Sequence, residues 1–318
     1  MKHRHLIVGI ALCALSTALS AQQFVRIGSG VAGSYPVFGA KVAELFNKHV
    51  DGVKASTFAG PTEQSLVRLQ RGEAEAVLTY TFEAESTLQG RGELKTPAPD
   101  IRHLMTTYGA VHMPVARTGV AITSLSELST KPYRVWLGPK SSVFWPMNLA
   151  ALSAYGVTPE AITKAGGVIN SAGYQNLMQA FQDGQVDVAF FSGPIPLGLM
   201  MELDRGKGFR FLNFDQAAIR RYNEALPGTG SAKIPAGTYK SSPEEVTMPY
   251  TINQIVVSAK LPDAVVYQMA KVLNERYKEL HGLFAGANEI DPKRALEHNR
   301  VPLHPGAERY YREVGLLK

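Results

Sequence analysis

Gly28, Gly30 and Gly33 make a literal G-x-G-x-x-G within the stretch IGSGVAGSYP, residues 27–36. That spacing belongs to dinucleotide-binding turns, in which the glycines let the backbone approach a pyrophosphate at a helix start. A nicotinamide or flavin reading needs a further part. An acidic residue must follow about 20 residues on, at the end of the second strand, to hold the ribose hydroxyl. Here that strand ends at Phe58, Ala59 and Gly60 with no acid, and the dinucleotide reading fails. The physics of the turn survives. A glycine-rich turn feeding a helix presents free backbone N–H groups and the positive end of the helix dipole, which suit a carboxylate or phosphate. Ser34 and Tyr35 add hydroxyls there, Thr62 borders the helix start after Gly60, and Ser141 and Ser142 stand at a comparable turn later in the chain. The plainer alternative is that Ser34, Thr62, Ser141 and Ser142 are ordinary helix N-caps.

Catalytic chemistry finds little support. There is no G-x-S-x-G, and His49, His103, His112, His281, His298 and His304 form no H-x-x-x-H pair suited to a metal. His112 is placed to touch a ligand, although a lone histidine is more often structural. Glu83 and Glu85, read as next neighbours at a strand end, point apart and make a poor acid–base pair. An exported hydrolase would need a nucleophile, a base and an orienting group, and no such set stands out. No enzyme activity, cofactor or metal is expected.

The elements that hold these turns repeat. Residues 24–27, 53–58 and 74–82 read as strands, with helices between them carrying Phe38, Val42, Leu45 and Phe46, then Leu66 and Leu69, at helical spacing. Pro61 suits the first turn of the second helix. A second copy starts near Tyr133, with strands at residues 134–137, near 168 and at 186–191. The segments LQRGEAEAVL, residues 69–78, and FQDGQVDVAF, residues 181–190, align. This β-α-β-α-β order implies parallel sheets flanked by helices, hence two similar α/β lobes. A strand over residues 251–258 returns, followed by a long helix opened by Pro262. The chain then crosses between lobes twice, near residues 115–120 and 246–250, and a two-strand hinge encloses a central cleft. The expected division is a signal peptide over residues 1–20, a first lobe over 21–117 and 247–318, and a second lobe over 118–246.

The amino terminus supports export. Lys2, His3, Arg4 and His5 precede an apolar run over residues 6–15 and small residues at 18–21, the form of a cleavable signal peptide. Its removal takes two cations, so the formal charge falls from +6 to +4. It also removes Cys13, the single cysteine, which excludes disulfides and thiolate metal sites from the mature chain. An exported chain without disulfides suits the bacterial periplasm. Lys and Arg are dispersed, so nucleic acid is not an expected partner, while a mildly basic surface favours anionic solutes. The chain is expected to be a monomer.

With GSGVAGSYPVFGA, GEAEAVL, IPAGTYK (residues 234–240) and PLHPGAERYYREVG (residues 302–315), the mature chain resembles the TAXI family of extracytoplasmic solute receptors. These are the binding proteins of one class of TRAP transporters. The resemblance implies a two-lobed Venus-flytrap fold, a small organic carboxylate as ligand, and delivery to TRAP-type membrane permease subunits. A receptor serving a sensor is the alternative from another class. The chain departs from the family pattern where Tyr80, Phe82, Phe144 and Trp145 replace polar residues, while Ser142 is kept. If those rings face the cleft, the ligand is a carboxylate with an apolar or aromatic portion; the alternative is that Phe144 and Trp145 pack into their own lobe. The ligand is expected to meet Ser34, Tyr35, Gly60, Thr62 and Tyr80 in the first lobe, and Ser141, Ser142, Val143, Phe144, Ser192 and Gly193 in the second.

Overall fold

The computed structural model describes residues 22–31, 33–140 and 142–318. Its first unit runs β1 (Gln23–Gly28), α1 (Tyr35–His49), β2 (Val53–Phe58), α2 (Thr62–Gln70), β3 (Ala76–Tyr80), α3 (Thr81–Leu88) and β4 (Ile101–Arg117). The second contains β5 (Arg134–Trp136), α4 (Phe144–Ser153), α5 (Pro159–Lys164), β6 (Val168–Asn170), α6 (Tyr174–Gln182) and β7 (Val188–Gly193). It continues with α7 (Gly198–Arg205), β8 (Phe209–Phe211), α8 (Gln216–Ala225) and β9 (Gly230–Ile234). Then β10 (Val246–Ser258), α9 (Asp263–Glu275) and α10 (Pro305–Glu313) complete the chain. Residues 1–20, the expected signal peptide, lie outside the described residues, as does Ser141.

The fold is α/β and two-lobed, and one hydrogen-bonded sheet passes through both lobes in the order β2-β1-β3-β10-β4-β7-β5-β6. In the first lobe β1 pairs in parallel with β2 and β3, while β10 runs antiparallel to β3. In the second, β5 pairs in parallel with β6 and β7, while β4 runs antiparallel to β7. The strands β4 and β10 therefore belong to both lobes and form the two-strand hinge. The strand β4 pairs with β10 up to Val111 and with β7 from Val111 onward. On β10, residues 246–250 pair with β9 and residues 253–257 with β3, while β4 pairs with the strand from Tyr250 onward. The first exchange thus falls four residues before the stretch marked in the sequence. The reason is burial: β4 is covered along nearly all of its length, so it lacks the alternation that would mark where one sheet ends and the next begins.

Packing follows the helical spacing. Phe38, Val42, Leu45 and Phe46 of α1 are fully buried with Val25 and Ile27 of β1, Met269 and Leu273 of α9, and Tyr311 of α10. A second cluster joins Val135, Trp136, Met147, Leu152, Phe181, Phe190 and Phe191. Each such side chain contributes about 1.5–3 kcal/mol by leaving water. Gly109 closes the hinge. A Cβ there would lie 1.7 Å from the Tyr250 ring, so only glycine lets that ring lie across β4. The Tyr250 hydroxyl then donates to Glu289 at 2.8 Å.

Two sequence expectations need correction. Residues 74–82 are not one strand: β3 ends at Tyr80 and α3 starts at Thr81. The Glu83 carboxylate accepts the Tyr80 N–H at 3.3 Å and so caps a helix where the apolar pattern had suggested continued extension. Pro61 is the residue before α2, not its first residue.

Candidate functional site

The carboxyl ends of the parallel strands of the two lobes point at each other. Tyr80, at the end of β3, lies opposite Asn253 of β10. Gly193, at the end of β7, lies opposite Val111 of β4, which in turn lies opposite Tyr250 of β10. Along β10 the two strand ends are three residues apart, roughly 10 Å at strand rise. Ligands of open α/β sheets bind beyond such carboxyl ends, and here two sets face one gap.

On the first lobe the expected residues are joined by contacts. The glycine turn leaves β1 with Gly30 at φ +67°, a left-handed conformation that a side chain would strain. The Gly30 carbonyl accepts the Gly60 N–H at 3.2 Å, which ties the turn to the start of α2. The partly buried Ser34 hydroxyl shares a hydrogen bond with the Tyr108 hydroxyl at 2.8 Å. Tyr35 donates to Asn253 Oδ1 at 2.5 Å, and the Tyr35 and Tyr80 ring centroids are 6.1 Å apart. Tyr80 stacks on Phe82 at 5.4 Å. Burial pushes the Tyr35 and Tyr108 phenols above their usual range, so both remain neutral. Thr62 donates to Glu83 Oε1 at 2.7 Å.

On the second lobe Ser142, Val143 and Phe144 follow β5 and lead into α4. Ser142 Oγ donates to the Pro139 carbonyl at 2.8 Å. Phe144 is partly buried and meets Trp136 edge-on at 5.9 Å, while Lys140 Nζ sits 5.6 Å from the Trp145 ring. Phe82 is buried in the cluster that includes Trp136 and Met147, and Tyr80, Phe144 and Trp145 pack against that cluster. The rings of Tyr80, Phe82, Phe144 and Trp145 are thus partly committed to packing. Ser192 precedes Gly193 at the end of β7, and its Oγ is buried without a hydrogen-bond partner.

The N-cap alternative does not describe these hydroxyls. Ser34 occupies the N-cap position of α1 without a side-chain cap bond, Thr62 lies inside α2, and Ser142 precedes the cap of α4. Each bonds elsewhere. His112 is a core residue: it is fully buried, with Nε2 on Asn148 at 2.9 Å and Nδ1 on the Tyr222 hydroxyl at 3.2 Å. Burial lowers its pKa to about 4, so it is neutral near pH 7.

Three residues of the site escaped the sequence. Tyr108 and Asn253 come from the hinge strands, far from the glycine turn in the chain, and carry no motif. Glu83 was set aside as a strand residue. It lies in the first turn of α3, 8% exposed, and accepts from Thr62, Thr79 and the Tyr80 N–H. Glu85 is on the other side of that helix, beside Arg300 at 3.4 Å. Among the described residues no group of three His, Cys, Asp or Glu could hold a metal ion, and no helix is long and apolar enough to cross a membrane.

Comparison with known proteins bears on this arrangement. The structure is similar to that of XAC2383 from Xanthomonas citri, solved bound to a chloride ion and bound to ATP. In each case the TM-score is 0.51 at 14% identity over 92% of this chain, and 97% and 96% of that chain are covered. It also matches the alkanesulfonate-binding protein SsuA from Xanthomonas axonopodis pv. citri, bound to MOPS, with a TM-score of 0.48 at 16% identity over 93% of this chain and 94% of that one. The profile of the NMT1-like family matches residues 27–315, essentially the whole two-lobed body, and the chain belongs to that family.

Proposed function

We propose that this protein is an extracytoplasmic solute-binding receptor that captures a small organic carboxylate between its lobes and hands it to the membrane subunits of a TRAP-type transporter. The observation that carries this reading is the facing pair of strand ends at Tyr80 and Gly193 on a two-strand hinge. In this reading the hydroxyls of Ser34, Thr62, Ser142 and Ser192 are the polar ligand groups. The XAC2383 structures, of the same fold, hold chloride and ATP, both anions. With Tyr80 at the end of β3 and Phe144 at the start of α4 as its walls, the pocket favours a ligand with an apolar or aromatic portion. The TAXI assignment within the NMT1-like family rests on the sequence segments quoted above, and a periplasmic location on the amino-terminal pattern.

In this mechanism the ligand touches both lobes only when they close, so it stabilises the closed state by its differential affinity. A thermal-shift screen of the mature chain against aliphatic, keto and aromatic carboxylates tests it. A ligand at about 100 times its Kd stabilises by roughly 2.7 kcal/mol, which at this size raises Tm by about 5 °C or more. A flat response to every acid, repeated after unfolding and refolding to strip carried-over ligand, would remove the carboxylate reading.

A further inference from the structure

Among the described residues Glu83 has three donors and no counter-ion. Thr62 Oγ1 donates to its Oε1 at 2.7 Å, while Thr79 Oγ1 at 3.0 Å and the Tyr80 N–H at 3.3 Å donate to its Oε2. The groups around it are acidic or neutral. Glu63 of α2 acts on it as a like charge, Tyr35 of α1 and Tyr80 of β3 are phenols, and Arg300 is beside Glu85 on the far side of α3. Burial, helped by Glu63, outweighs the three hydrogen bonds and raises the Glu83 carboxyl from 4.5 to about 7.

The hydrogen bond to Thr62 has two polarities. A threonine hydroxyl carries one hydrogen and two lone pairs. With Glu83 ionised, that hydrogen points into the carboxylate, and Thr62 offers only lone pairs to anything in the gap. With a proton on Oε1, the carboxyl becomes the donor, and the Thr62 hydrogen is free to turn outward. An anionic ligand needs the second arrangement, since lone pairs backed by a buried negative charge repel it.

We propose that Glu83 is the positioning residue that makes capture of an anion proton-linked: it takes one proton from solvent as the ligand carboxylate accepts the Thr62 hydroxyl. The assignment rests on Thr62 facing the ligand, as in the function proposed above. A purely structural Glu83 would cap α3 in either state and leave affinity independent of pH.

The test is titration calorimetry of the mature chain with benzoate and phenylacetate from pH 6 to 9, in phosphate and in Tris, whose ionisation heats differ. The expected affinity is level at the acid end and falls about tenfold per pH unit above the Glu83 midpoint. In the falling range the heats in the two buffers should differ by the ionisation of about one proton per ligand bound. Glu83→Gln, whose amide can donate to Thr62 in both regimes, should bind at the wild-type acid-end affinity across the whole range. Thr62→Val should bind weakly with no slope. Probe binding that is level with pH and takes up no proton overturns the inference and leaves the receptor intact, as does a Glu83→Gln variant that keeps the wild-type slope. Should Glu83→Gln fail to fold, the two-buffer comparison on the wild type decides alone. If neither probe binds at any pH, the reading of the ligand as an aromatic carboxylate falls and this inference falls with it.

Discussion

Two buried titratable side chains give the fold opposite responses to acid. Glu83 has a folded pKa raised from 4.5 to about 7, so the folded state holds its proton more tightly than the unfolded chain. That contribution is complete below pH 4.5 and is lost as pH rises through 7. His112 has a folded pKa lowered from 6.5 to about 4, so its contribution is complete above pH 6.5 and is lost as pH falls through 4. Each amounts to about 3 kcal/mol at its limit, and between pH 4.5 and 6.5 the two slopes oppose. We expect the Glu83 and His112 contributions to urea-derived stability to cancel across that window, leaving the pull of buried His103 and His304, whose pKa values burial also lowers. Glu83→Gln removes one slope, and its stability should fall by about 3 kcal/mol from pH 7 to 4. An unchanged profile would show that Glu83 does not titrate in the fold. Of the two, only Glu83 belongs to the site residues that the sequence concealed. Ser34, Tyr35 and Thr62 were visible because they follow a glycine-rich turn or a strand end. The partners that orient them, Tyr108, Asn253 and Glu83, are set by tertiary contacts and have no local signature.

At the level of elements, the repeated β-α-β-α-β order was legible because each helix has an apolar face and each strand is short and bounded by glycine. The 17-residue β4 was not, because its residues are buried in both lobes and show no period. The hinge depends on one close contact within it. In Gly109→Ala the new methyl would occupy the place of the Tyr250 ring, 1.7 Å away, and the ring must leave its bond to Glu289. A loss of about 1–3 kcal/mol is expected from such overpacking. Tyr250→Ser removes the clashing ring, and the double variant should be more stable than the sum of the two single losses predicts, as expected for residues in direct contact. Additive losses in urea denaturation would place the strain of Gly109→Ala elsewhere.

At the level of the whole molecule, the two-lobe division and the existence of a hinge were legible from repeat spacing. The register that aims Tyr80 and Gly193 at one gap was not, because strand pairing across the hinge joins segments 82 to 173 residues apart, from Val111–Gly193 to Tyr80–Asn253. Hinge closure has a shape consequence. A carboxylate that raises Tm should also reduce the radius of gyration in small-angle X-ray scattering. A ligand that stabilises without compaction would be held by one lobe alone.

The shared sheet also sets the order in which the protein can be completed. The strand β3 gains its second neighbour only when residues 253–257 of β10 pair with residues 76–80. At a synthesis rate of about 5–20 residues per second, the 173 residues from Tyr80 to Asn253 take roughly 10–35 s. For that interval the buried, apolar AVLTY edge of β3 has no partner strand, and an open edge of this kind can be extended by another chain. The first lobe opens the fold with β1 and is completed only when β10 arrives.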